Sequence, residues 1–203
     1  MKSAILFTLA LAAAHDRSHP DCVPYVSPPS PSGEIYHSLH AANEQVHSMV
    51  SMVDHWSADQ GVLNALNIQQ EYYSMYTAMQ HLADAAERAS FDRVDSVNAA
   101  SEYAHHAAGI TRLLNALVSK SEDFNSVHVE TIIRDDVMSM VLPAAQVQSR
   151  ILERFPRDVP CDALSTASDA CRHLTEALAH AGDVYNVGPF SFAPVPTACR
   201  PYC

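Results

Sequence analysis

The stretch ALNIQQEYYSMYTAMQHLADAA, residues 65 to 86, decides the fold class. Its residues Ala65, Ile68, Tyr72, Met75, Met79, Leu82 and Ala86 step by three and four. That spacing lines one face of a helix, because 3.6 residues complete a turn. Ala89 extends the same stripe, and four further stripes repeat it. The first runs Ile35, Leu39, Ala42, Val46, Met49, Val53, Trp56, and the third Val97, Ala100, Ala104, Ala107, Ile110, Leu114, Leu117. The fourth runs Ile133, Val137, Met140, Ala144, Val147, Ile151, and the fifth Leu164, Ala167, Cys171, Leu174, Leu178, Ala181. No comparable segment alternates apolar with polar residues, so no strand is predicted.

Chemical punctuation separates the stripes. Asp59-Gln60-Gly61 stops the first, Ser90-Phe91-Asp92 divides the second from the third, and Ser121-Glu122-Asp123 divides the third from the fourth. Pro156 and Pro160 force the last break, and Pro143 removes one backbone donor inside the fourth helix, which predicts a kink. Short connections between long amphipathic helices predict an all-α, antiparallel up-down bundle of about five helices with flexible, disulfide-bearing tails.

Outside the bundle, Lys2, the apolar run Ile5 to Leu11 and the small residues Ala12-Ala13-Ala14 read as a secretory signal over residues 1–14. That run is too short to span a bilayer. Residues 15–33 hold Pro20, Pro24, Pro28, Pro29 and Pro31 and read as an extended linker, in which Ser27, Ser30 and Ser32 are candidates for O-linked sugar. The bundle is expected over residues 34–186 and a Cys-containing tail over 187–203.

A secreted destination suits the cysteines Cys22, Cys161, Cys171, Cys199 and Cys203. Five cannot all pair in one chain, so two disulfides and one leftover thiol are expected. If the segment after Cys161 is helical, Cys161 and Cys171 lie roughly 15 Å apart, beyond disulfide reach. Each is then expected to pair with a tail cysteine, with the connectivity left open.

The charge balance, 12 Lys+Arg against 23 Asp+Glu, argues against a binder of nucleic-acid phosphates. Glu34 with His37 and Glu102 with His105 have the Glu-x-x-His spacing of carboxylate-bridged metal bundles. Yet His37 falls about 160°, and Glu102 about 150°, from the centre of its stripe, which predicts solvated faces and no shared metal. His37 with His40, and His105 beside His106, read likewise as exposed side chains. No His-Glu-x-x-His, Gly-x-Ser-x-Gly or phosphate loop is present, and nothing selects a triad or a cofactor. The chain reads as non-enzymatic. Cleavage after Ala14 leaves 11 basic and 23 acidic side chains, a charge of −12, which protonation of all twelve histidines would bring to zero. Denser adsorption to apolar surfaces in mild acid is expected from that change.

The methionines carry the functional reading. Met49, Met75, Met79 and Met140 lie on inward stripes of three helices. Unbranched thioethers fill gaps in cores, and they also repack around flexible ligands. The stretch Leu113-Leu-Asn-Ala-Leu-Val-Ser-Lys-Ser-Glu-Asp-Phe124, with Thr131-Ile-Ile-Arg-Asp-Asp-Val137 after it, resembles the fungal hydrophobic-surface-binding protein and cell-wall galactomannoprotein family. Trp56-Ser-Ala-Asp-Gln-Gly61 with Ala65-Leu-Asn-Ile68 is similar to that family's first turn, and Ala167 to Tyr185 to its last helix. The cysteines and both tails depart from its pattern.

The resemblance, over about residues 34–186, implies a secreted, cell-wall-associated helical bundle that binds hydrophobic surfaces, fatty acids or other lipids. In some members it also implies recruitment of a secreted esterase. Candidate lining residues are Met49, Val53, Met75, Met79, Ile133, Val137 and Met140. A second reading stays open: a secreted protein-interaction module or effector whose bundle is simply full.

Overall fold

A computed structural model of the protein describes residues 31–188 and Phe190. The expected signal peptide, most of the linker, Cys22, Cys199 and Cys203 lie outside the described residues. The chain forms α1 (Pro31–His55), α2 (Gly61–Arg88), α3 (Arg93–Ser119), α4 (Ser121–Ser126), α5 (Glu130–Glu153) and α6 (Cys161–Val184). No strand occurs among the described residues, and no helix there is long and apolar enough to cross a membrane. Five long helices build the bundle, as the stripes predict. The sixth, α4, is a short helix where the sequence suggested only a break, because Ser121, Glu122 and Asp123 favour a helix N-terminus. Its Phe124 is fully buried.

α1 begins at Pro31, inside the segment read as linker. Proline is tolerated in a first turn, where its missing N–H would have no partner. Asp92 caps α3: its carboxylate accepts from the Val94 and Asp95 amides at 2.7 and 2.8 Å. Between α1 and α2 a 3₁₀ turn, Ala58–Gln60, leads into Gly61 at φ 72°, a conformation glycine adopts without steric cost. α5 runs on through Pro143 to Glu153. The missing amide removes the bond to the Ser139 carbonyl.

Direction alternates along the chain, but consecutive helices are not always neighbours. α1 lies between α2 and α3, α3 packs on α6, α2 on α5, and α5 meets α6 along the lightest seam of the ring. Glu34 with Arg88 joins the start of α1 to the end of α2, so that pair is antiparallel. Tyr36 bonds the Asp95 carbonyl (2.8 Å) and Asn43 meets His106 (2.9 Å), so α1 and α3 run the same way. Tyr103 with Cys171, and Tyr185 with Leu117, show the same for α3 and α6. Tyr72 with Ser139, and Asp84 with Arg150, show it for α2 and α5. Three of the ring's seams therefore join parallel helices.

The second stripe is buried from Ala65 to Ala89 without exception. The third is rotated from its expected position. Val97 is 42% exposed, whereas Tyr103 and Leu113 are buried. α3 is covered by both α1 and α6, so its buried arc is wider than an apolar-only stripe suggests. At the far end of α1, Trp56 stacks on Phe124 at 4.5 Å, and Lys120 donates to the Trp56 carbonyl at 2.8 Å. This contact ties α4 to the first turn.

Candidate functional site

The seven residues proposed to line an acyl site are all buried, none more than 1% exposed, and all belong to one core. Met49 and Val53 sit one turn apart on α1, Met75 and Met79 one turn apart on α2, and Ile133, Val137 and Met140 on α5. The ring order places α2 between the other two helices, so the seven lie on three consecutive staves. Met138, by contrast, is 57% exposed.

Two of the seams carry buried polar groups with an unpartnered atom. Between α1 and α3, His106 is buried, and its Nδ1 lies 2.9 Å from Asn43 Oδ1 while Nε2 has no partner. Because the amide oxygen accepts, Nδ1 carries the proton. Burial, helped by the charge on His105, pulls its proton affinity down to about 4. His106 therefore corrects two expectations, that it is exposed beside His105 and that it joins the other histidines in gaining charge in mild acid. His37, His40 and His105 are exposed, as their angular positions predict, and so is Glu102, while Glu34 pairs with Arg88.

Between α2 and α5 lies a group that sequence reading missed. Tyr72 Oη and Ser139 Oγ are 2.5 Å apart, and Ser139 Oγ donates to the Asp136 carbonyl at 3.1 Å. Since the serine has one proton, the Tyr72 hydroxyl is the donor of the first bond. Asp136 is only 5% exposed and its Oδ2 has no partner. Burial, with the charge of Asp135, pushes its carboxyl up to about 7. Asp136 stands about 60° from the centre of the α5 stripe, close enough for a helical wheel to have flagged it.

The cysteines divide. Cys161 is exposed at the first position of α6, so the helix does span Cys161 to Cys171. The tail cysteines with which Cys171 is expected to pair lie outside the described residues; within these Cys171 is a fully buried thiol whose Sγ donates to Tyr103 Oη at 3.3 Å. Burial pushes that thiol up to about 11, which makes it inert as a nucleophile.

Two solved proteins share this fold. One is Afmp4p in complex with palmitic acid, superposing with a TM-score of 0.67 at 15% identity over 76% of this chain and 99% of that one. The other is ligand-binding domain 1 of the Penicillium marneffei MP1 protein, complexed with arachidonic acids, with a TM-score of 0.66 at 8% identity over 76% and 98%. No protein-family model and no curated protein sequence matches the chain. The bundle architecture is thus shared with fatty-acid-binding domains at an identity where only the fold carries over.

Proposed function

We propose that this protein is a secreted, non-enzymatic binder of fatty-acid chains. One observation carries the reading: a bundle whose shape is shared with two fatty-acid complexes has methionines on three consecutive helices of its interior. An acyl chain would replace part of the packing around Met49, Val53, Met75, Met79, Ile133, Val137 and Met140. A sixteen-carbon chain gains on the order of 0.8 kcal/mol per buried CH₂ before ordering costs. The interior is closed to solvent, so admission requires a seam to part. The seam between α5 and α6 has the least packing to lose. The N-terminal fourteen residues support the secreted destination, and the fungal surface-binding resemblance is consistent with it.

The test replaces Met75 and Met79 together with Phe. A rigid ring cannot fold aside as a thioether does, so the double variant is expected to lose palmitate binding while keeping its helical circular dichroism. Equal binding by parent and variant would remove these residues from the site. A parent that binds no fatty acid, and yields no lipid on extraction and mass spectrometry, would favour the filled-bundle interaction module.

A further inference from the structure

We propose that Asp136, with Tyr72 and Ser139 beside it, recognises the head of the bound acid: Asp136 Oδ2 and Tyr72 Oη hydrogen-bond a fatty-acid carboxyl while its chain runs inward over Met75 and Met140. The inference rests on the acyl-binding reading and adds to it a chemical class of head group.

The geometry supplies three reasons. Asp136 Oδ2 is a buried polar atom with no partner, and leaving such an atom unsatisfied is costly unless something else occupies the place. The cluster also reaches from surface to interior: Ser139 is exposed, Tyr72 is 2% exposed and Asp136 5%. A polar head at such a rim leaves the apolar chain free to turn toward the core. Finally, the cluster adjoins the lining residues on both helices. Asp136 precedes Met140 by four residues and Tyr72 precedes Met75 by three, one helical turn in each case.

The protonation state suits the task. With its carboxyl raised to about 7, Asp136 keeps its proton in mildly acidic surroundings and offers an O–H donor to a carboxylate. The titratable groups bearing on it are Asp135 from its own helix and Tyr72 from α2. Neither brings a positive charge, so recognition is by hydrogen-bond donation rather than by ion pairing. Ser139 stays bonded to the Asp136 carbonyl, while the Tyr72 hydroxyl turns from Ser139 Oγ to donate its single proton to the ligand carboxylate.

The experiment compares palmitate with methyl palmitate, which has the same chain but no acidic head, as competitors for a fluorescent fatty acid at pH 6. The full chain is expected to prefer the acid by about tenfold. Asp136→Leu and Tyr72→Phe should each cut the preference to less than threefold while methyl palmitate still binds. Asp136→Asn, which keeps a donor, should retain most of it. Tyr72→Phe deletes a single oxygen and serves if the leucine variant does not fold. An unchanged preference in the leucine or phenylalanine variant overturns the assignment, as does a parent that binds both ligands equally. A parent that binds neither refutes the acyl-binding reading itself.

Discussion

The α1–α3 and α2–α5 seams invite comparison, since each joins parallel helices and each buries a titratable side chain with one unpartnered atom. At the first, His106 has an amide partner in Asn43 and is held in its neutral form. Its unpartnered Nε2 is only the lone pair of an uncharged ring. At the second, Asp136 has no partner for Oδ2, and near neutral pH its carboxyl is divided between two charge states. A seam that satisfies its polar group serves stability. A seam that leaves an acid waiting beside two hydroxyls has stability in reserve for something that arrives later.

The sharpest way to break this contrast is pH. His106 has a folded-state proton affinity below its unfolded value near 6.5, so its contribution is present above about pH 6.5 and lost as pH falls toward 4. Its full loss is roughly 3 kcal/mol. Asp136 is raised, so its contribution is present below about pH 4 and lost as pH rises through 7. The two oppose each other. Asp136→Asn is expected to steepen the loss of unfolding free energy between pH 6.5 and 4.5, and His106→Gln to flatten or reverse it. Urea titrations across that range would show this, and parallel pH profiles for parent and variants would refute it.

Deleting one partner at each seam should give effects of opposite sign and smaller size. Asn43→Ala strands the His106 Nδ1–H and is expected to cost about 1–3 kcal/mol. Asp136→Leu at pH 8 removes a buried acid that must ionise and is expected to stabilise by about 1–3 kcal/mol. Thermal melts of the two variants would settle the signs, and destabilisation by both would make the second seam merely structural. The smallest effect belongs to the exposed clasp between α1 and α2. Arg88→Ala breaks its pair with Glu34 and is expected to lower the melting temperature only slightly, by an amount that fades in 0.5 M salt.

What was legible in the sequence follows from what periodicity encodes. It shows which face of a helix is buried, so Met49, Met75, Met79 and Met140 were placed correctly in the interior. It does not show which helix covers that face. The ring order depends on contacts between residues about sixty apart, such as Tyr36 with Asp95 and Asn43 with His106, and no local pattern announces them. Tyr103 was missed because the third stripe runs through Val97, Ala100 and Ala104 and steps past it, although Cys171 meets its hydroxyl inside. Asp136 was missed because of its charge, with a larger consequence. An acid beside an apolar stripe looks like its solvated border until a neighbouring helix closes over it.

The packing of α6 on α3 also sets a timetable. Cys171 and Tyr185 meet partners 68 residues earlier in the chain, Tyr103 and Leu117. At synthesis rates of about 5–20 residues per second, α3 waits about 3 to 14 s before its covering helix is made. α1 can shield one flank in that interval, but the other, from Ala100 to Leu117, remains uncovered. Contacts of such long sequence separation also slow folding relative to a bundle whose neighbours follow one another. A chain halted before Cys161 would therefore display a half-built apolar trough, and self-association is the expected fate of that fragment.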